Sequence, residues 1–172
     1  MPASEKEYLI DFDPGRCTQC HGCEIACKAW RELNYGVQYR RVLNLWQGEY
    51  PNVKNASISL ACLHCVEPAC AAACPEDAIS KNDKDGLVVV DVTICNGCET
   101  CADACAFGVP QFGENGIMQK CDRCRHQQSG HGSPPCVDTC PGKALACIEV
   151  SHADKKACEE RIMRLLGWVY HG

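Results

Sequence analysis

No stretch of this 172-residue chain stays apolar for the eighteen or so residues that a membrane-spanning helix requires. A direct bilayer span is thereby excluded, and work at a membrane would need another subunit as the anchor. The opening residues, Met1-Pro2-Ala3-Ser4-Glu5-Lys6, carry neither a basic n-region nor an apolar h-region, so no secretory signal is expected. Positive charge is also scarce. Seventeen Lys and Arg face 22 Asp and Glu, a formal net charge of −5 with cysteines counted as neutral thiols. Without a basic stripe, nucleic-acid binding is excluded as a function class. Ser, His and Asp occur, but no spacing groups them into a catalytic constellation.

What the chain has in quantity is cysteine. Sixteen of its 18 cysteines form four consecutive quartets. They are Cys17-Cys20-Cys23-Cys27, Cys62-Cys65-Cys70-Cys74, Cys95-Cys98-Cys101-Cys105 and Cys121-Cys124-Cys136-Cys140. The first and third follow C-x2-C-x2-C-x3-C. The second widens its middle gap to four residues and the fourth to eleven. Pro75 and Pro141 follow the last cysteines of quartets two and four, as in the bacterial ferredoxin fingerprint. Each quartet therefore has the spacing that holds a [4Fe–4S] cluster, and four clusters point to electron conduction.

Three other uses of cysteine compete. A secreted disulfide scaffold reaches this cysteine density, but it has no need of a repeated triplet of closely spaced thiols. Structural zinc uses C-x2-C pairs, typically two pairs or Cys with His, and has no role for a third cysteine at the same interval. A thiol sponge would not carry 46% hydrophobic residues. A cubane does explain the spacing. Its four thiolates must approach one small object from different directions, and a tight loop aims three of them inward. The fourth, three residues on, starts a short helix that carries it away. In two-cluster ferredoxins that fourth cysteine ligates the other cluster.

Between the quartets the pattern is of short elements. Tyr8–Asp13 alternates as a strand and ends at Pro14-Gly15, and Glu24–Leu33 reads as a helix. Residues 34–55 hold no cluster ligand but concentrate Tyr35, Tyr39, Arg40, Arg41, Trp46 and Tyr50. This segment is expected to be an ordinary packed loop or hairpin; the competing reading is a docking surface, since Trp, Tyr and Arg favour interfaces. Ala78–Lys81, the turn Asn82–Gly86 and Leu87–Asp91 read as a β-hairpin between quartets two and three. Ser129-Gly130-His131-Gly132-Ser133 is expected to be a flexible excursion within quartet four.

The stretch Cys74-Pro75-Glu76-Asp77-Ala78-Ile79 repeats as Cys140-Pro141-Gly142-Lys143-Ala144-Leu145, followed by an apolar strand to Val150. The fold class is therefore α+β: two bacterial-ferredoxin-like two-cluster modules, one inserted in the other, with many loops, short hairpins and short helices. Residues 57–112 form the inner module, and residues 1–56 with 113–172 the outer one. Residues 28–56 connect or dock, and 154–166 form a C-terminal helix. The crossing rule then assigns Cys62, Cys65, Cys70 and Cys105 to one cluster and Cys95, Cys98, Cys101 and Cys74 to the next. In the outer module it assigns Cys17, Cys20, Cys23 and Cys140 to one cluster, and Cys121, Cys124, Cys136 and Cys27 to the other. Cys147 and Cys158 remain and read as core residues. His64 and His21, inside quartets two and one, are either hydrogen-bond donors that raise a cluster potential or loop residues facing solvent. Folding should depend on the clusters, since they replace much of the apolar core.

The run from Ile10 to about Ile148 resembles the four-cluster electron-transfer subunit of the dimethyl sulfoxide reductase family of molybdenum and tungsten enzymes. The matching pieces are RCTQCHGCEIACKAW, Arg40-Arg41, CLHCVEPACAAACPEDAI, DGLVVVD, CNGCETCADACAFGVPQF and KCDRCR…PPCVDTCPGKAL. Two features depart from the pattern. Ala106 stands where the family usually has proline, and the chain stops at Gly172 without the C-terminal extension or anchor helix of several relatives. The resemblance implies a large partner carrying molybdopterin guanine dinucleotide, and often a membrane subunit that exchanges electrons with quinone. It also supports the inserted module and the crossed ligand sets, and it implies four cubanes. The expected function is a non-catalytic wire between such a catalytic subunit and a quinone-reactive or soluble partner. The alternatives are a free-standing polyferredoxin serving a hydrogenase or formate dehydrogenase, and a cluster-based sensor, for which no DNA-binding element is present. The expected location is peripheral to the inner membrane after cytoplasmic assembly, on either face if the complex is exported with its partner.

Overall fold

The computed structural model describes residues 6–125 and 133–170. In sequence order these form β1 (Lys6–Phe12), α1 (Gly22–Trp30), β2 (Arg40–Gln47), β3 (Lys54–Ala61), α2 (Ala69–Ala72), β4 (Ile79–Lys81) and β5 (Val88–Val90). They continue as α3 (Thr100–Asp103), β6 (Gln111–Phe112), β7 (Met118–Gln119), α4 (Pro135–Asp138), β8 (Leu145–Ser151) and α5 (His152–Tyr170). Among the described residues no helix is long and apolar enough to cross a membrane.

Every sheet has two strands, because cysteine loops interrupt the polypeptide before a third can form. The first strand pairs across almost the whole sequence: β1 runs antiparallel to β8, with Leu9 opposite Ile148 and Phe12 opposite Leu145. β4 and β5 form the expected hairpin, Ile79 opposite Val90. The turn between them requires a positive φ at Gly86 (64°), where a Cβ would meet the Glu7 carboxyl. The ligand-free segment forms half of a long hairpin, β2–β3, with Arg40 opposite Ala61. A short hairpin joins β6 and β7, Phe112 opposite Met118; these two-residue strands straddle position 112 and are too short to leave a period in the sequence.

α2, α3 and α4 are single turns, each carrying the third cysteine of its quartet, while α1 carries two. α5 is longer than the expected 154–166 and lays Cys158, Ile162 and Leu166 against Leu9, Ile58 and Leu60. The largest apolar cluster therefore lies under this helix, with Cys62, Cys65 and Cys105 packed on its edge.

Ionic bonds connect the parts that apolar surface does not. Glu7 of β1 is only 3% exposed and accepts from Lys155 of α5, which is fully buried. It also meets Lys81 of β4 at 2.6 Å and His152 at 2.8 Å. Glu159 of α5 accepts the Val66 amide at 2.9 Å. One carboxylate thus ties the β1–β8 sheet, the β4–β5 hairpin and α5 together. Residues 129–132 of the expected glycine-rich excursion lie outside the described residues; Ser133 is a bend.

Candidate metal centres

The four cysteine loops share one backbone conformation. The residue just before the second cysteine is left-handed in each: Gln19 (φ 55°), His64 (51°), Gly97 (74°) and Arg123 (55°). Outside glycine this conformation is uncommon and is retained where the surroundings demand it. Here it turns amides toward sulfur. Gln19 N–H donates to Cys17 Sγ and Arg123 N–H to Cys121 Sγ, both at 3.4 Å. Ala144 N–H reaches Cys140 Sγ at 3.2 Å and Thr100 Oγ1 reaches Cys98 Sγ at 3.4 Å. Donors aimed at sulfur are what thiolate ligands of iron need to be oriented and tuned.

The last cysteine of a quartet lies beside a different quartet. Cys27 sits with Cys121, Cys136 and Cys124. Cys101 has Cys95, Cys98 and Cys74 as neighbours, and these four line one cavity of about 300 Å³ with Ile79, Phe112 and Met118. Cys65 is flanked by Cys62, Cys105 and Cys70. Cys65, Cys70 and Cys105 also line a wider cleft of about 1150 Å³ against α5. Cys23 and Cys140 pack in one apolar cluster, and Cys20 Sγ and the Thr139 methyl both lie near Gly22. Apolar packing also joins the groups: Cys23 and Cys136 share one cluster, Cys62 packs on the cluster of Cys121, and Cys70 on that of Cys101.

Electrostatics make these groups poor homes for free thiolates. Burial, with Cys121 and Cys136 adding to it, pushes the Cys27 thiol up to about 12. Burial and then Glu159 and Cys62 push Cys65 to about 12, and burial and Cys121 do the same for Cys124. Burial raises Cys62 to about 11. Ligation at such thiols must displace protons, so a strongly cationic core is required to hold them deprotonated. Among the described residues no three Cys, His, Asp or Glu side chains converge tightly enough for a single metal ion. A cubane asks for something else, one sulfur on each of four irons. The residues fit that group.

The histidines separate. His64 is 1% exposed, and its Nδ1 accepts the Val88 amide at 3.1 Å, which leaves the proton on Nε2. That Nε2 is buried without a protein acceptor. Burial, with Lys120, Arg123 and Lys155 nearby, holds the ring neutral, its pKa well below the usual histidine value. His21 instead pairs with Glu24 at 2.8 Å at the surface, so the solvent-facing reading holds for it alone.

Other expectations need correcting. Residues 34–55 do belong to a hairpin, one of the two expected forms, but not all their aromatics pack: Tyr35 and Tyr50 are 99% and 93% exposed, and Trp46 is 68% exposed. Tyr39 and Arg40 do pack inside. Along β2 the burial alternates over residues 40–43, with Arg40 and Val42 inward, and then changes phase, so that Leu45 is buried and Trp46 faces out. Cys158 is core, but Cys147 is only half-buried, lining a cavity with Arg123, Tyr8 and Leu87. Sequence reasoning missed Ser59, which belongs to no motif, and Lys120, which opens the KCDRCR match but was not singled out. Ser59 Oγ lies 3.4 Å from Cys23 Sγ.

The profile of a 4Fe-4S dicluster domain matches residues 53–150. One polypeptide of the anaerobic dimethyl sulfoxide reductase of Escherichia coli (strain K12) is 38% identical over 159 residues, covering 87% of this chain and 77% of its own length. The protein belongs to the iron–sulfur electron-transfer subunits of the dimethyl sulfoxide reductase family. The formate dehydrogenase iron–sulfur subunit of Wolinella succinogenes is 43% identical over 128 residues, covering 70% of this chain and 62% of its own length. One component of the sulfite dehydrogenase of Allochromatium vinosum is 29% identical over 172 residues, covering 87% and 72%. As an iron–sulfur subunit of this family the protein transfers electrons and is not itself the catalyst. The sulfur-directed loops are the part of the family's chemistry that its own residues supply.

Proposed function

We propose that the protein is a wire of four [4Fe–4S] clusters held by the crossed ligand sets. The observation that carries this is the company Cys27 keeps, with Cys121, Cys124 and Cys136 from the far end of the sequence. The cavity shared by Cys74, Cys95, Cys98 and Cys101 points the same way. The two remaining sets are Cys17, Cys20, Cys23 with Cys140, and Cys62, Cys65, Cys70 with Cys105. The module of quartets two and three is inserted into the outer one, a reading supported by the β1–β8 and β4–β5 pairings.

The contacts between groups order the wire. The Cys23 set adjoins the Cys27 set through Cys136, that set adjoins the Cys62 set through Cys121, and the Cys62 set adjoins the Cys74 set through Cys101. Of the sixteen ligands only Cys20 and Cys98, one in each terminal set, are exposed. Electrons enter and leave there, while all four ligands of the Cys27 set are buried. The clusters supply one-electron chemistry within about −700 to +450 mV, and the protein tunes it through burial, charge and hydrogen bonds to sulfur. His64 Nε2–H lacks an acceptor that a cluster-bound sulfur would provide.

One end serves a catalytic subunit carrying molybdopterin guanine dinucleotide, and the other a quinone-reactive membrane subunit or soluble redox partner. The names of the relatives support that assembly, and exposed Tyr35, Tyr50, Trp46 and Trp30 supply a surface for a stable partner. Assembly takes place in the cytoplasm, with the complex peripheral to the membrane. The test is Cys27→Ser. Paramagnetic resonance of the reduced variant should show loss or alteration of the Cys121–Cys124–Cys136 cluster and an intact Cys17–Cys20–Cys23 cluster. Loss of the latter instead would sink the crossed assignment.

A further inference from the structure

Two cations lie in the interior with no carboxylate beside them. Arg40 is 3% exposed and Lys120 is 6% exposed, and neither makes an ion pair with Asp or Glu among the described residues. The buried Lys155 has Glu7, so the contrast lies within one protein. An unpaired buried charge is heavily penalised unless an anion answers it.

Their positions say which anion. The Arg40 guanidinium donates from Nη1 to the Ser59 carbonyl at 3.1 Å and to Ser59 Oγ at 3.0 Å. Ser59 Oγ also lies 3.4 Å from Cys23 Sγ, and toward a thiolate ligand, which can only accept, its hydroxyl would be the donor. The guanidinium also lies near Cys136, Cys121 and Cys27. It is wedged between the Cys23 set and the Cys27 set. Lys120 donates from Nζ to the Val88 carbonyl and, at 3.3 Å, to the Cys121 carbonyl. It lies beside Cys62 and Cys70, so it stands between the Cys27 set and the Cys62 set. The third junction is different. Cys70, Ala71 and Cys74 meet Cys101 there across Ile79, Val88 and Met118, all apolar, and the terminal cavity is edged by Glu76 and Glu99.

We propose that Arg40 and Lys120 are the buried counter-charges of the wire, each shared by the two clusters it separates, and that they hold three of the four clusters at higher potential than the Cys74–Cys95–Cys98–Cys101 cluster would allow by itself. This rests on the four-cluster reading above. Adding an electron makes a cluster more negative, so a fixed neighbouring cation favours the reduced form. The same cation stabilises whichever neighbour holds the electron, which smooths the step between them. Among the described residues the terminal cluster has no such neighbour, and its potential is set by Glu76, Glu99 and exposure of Cys98.

The test is a redox titration of the cluster-loaded protein followed by paramagnetic resonance, with signals assigned from the single Cys→Ser variants. In Arg40→Met the Cys23 and Cys27 clusters should each show about a tenfold smaller reduced-to-oxidised ratio at fixed poise, equal to 59 mV for one electron. In Lys120→Met the Cys27 and Cys62 clusters should fall instead. The Cys74 cluster should not move in either, and Arg40→Lys should restore most of the shift. If Arg40→Met does not assemble, Ser59→Ala carries the test, because it should lower the Cys23 cluster alone. Unshifted potentials in assembled Arg40→Met and Lys120→Met, a uniform shift of all four clusters, or an unmoved Cys23 cluster in Ser59→Ala overturns the proposal. Fewer than four cubane signals in the unaltered protein would overturn the four-cluster reading itself, and that outcome is read before any variant is made.

Discussion

Replacing Glu7 by Ala should loosen the protein where its parts meet. The carboxylate is 3% exposed and is the only anion that meets Lys155, which is fully buried, among the described ion pairs. Lys81 and His152 also meet it, but both are partly exposed and can turn to water when it is gone. Lys155 has no such outlet, and stranding a buried charge costs about 3–5 kcal/mol. At 1.4 kcal/mol per tenfold, the opened population should rise roughly 10²-fold to several thousand-fold. Cluster loss is irreversible, so the measurement is a rate: bleaching of the iron–sulfur absorption in the presence of a chelator. Where opening and closing outpace capture of iron, that rate follows the opened population. The double variant Glu7→Leu, Lys155→Met removes both charges and should recover most of the loss. Acidity supplies a second check. Burial pushes the Glu7 carboxyl up, but the bonds and charges of Lys155 and Lys81 more than offset this, and it is held below its ordinary value of 4.5. A carboxyl lowered by folding stabilises fully above about pH 4.5 and loses that contribution as pH falls through its lower folded value. The rate ratio of Glu7→Gln to unaltered protein should therefore shrink in that window. A double variant that bleaches no more slowly than Glu7→Ala would refute the account.

Removing iron should undo the fold, because the largest apolar cluster lies under α5 while the loops have chiefly sulfur to gather round. Cluster-free protein should show little helix or strand by far-UV circular dichroism, and a cooperative thermal melt of it would contradict this. Tyr35→Ala with Tyr50→Ala removes rings that are 99% and 93% exposed, so cluster retention should be unchanged. Co-purification of a large molybdopterin subunit should weaken by tenfold or more if these rings anchor it; equal recovery would place the contact elsewhere.

Cysteine spacing exposed the centres because ligand geometry is local: three sulfurs on one loop must lie two residues apart to face one object. The β1–β8 pairing was readable from the repeat of Cys74–Ile79 in Cys140–Leu145, and the β4–β5 hairpin from its turn. Pairwise long-range contacts left no trace. Nothing near Glu7 in sequence announces Lys155, and a basic residue in a polar-looking segment gives no sign that Arg40 points inward. Alternation along β2 gives no help, since Asn44 and Trp46, in phase with Arg40, are exposed while Leu45, out of phase, is buried. Cys147 does turn inward between exposed Ala146 and Ile148, but it lines a cavity and is only half-buried, which an apolar strand composition does not reveal.

The long-range pairing of β1 with β8 has a consequence for the order of events during synthesis. Cys27 leaves the ribosome about ninety residues before the first of the cysteines it lies beside, a wait of roughly 5–20 s at ordinary elongation rates. Throughout that interval the first quartet has no partner loop and β1 has an unpaired edge, while the quartets that flank the β4–β5 hairpin are completed before it ends. The middle of the sequence is therefore ready for iron first, and the ends last. A nascent polypeptide halted before residue 121 would expose Cys17 to Cys27 to oxidation, so the early cysteines need a reducing environment or a bound chaperone until the last strand arrives.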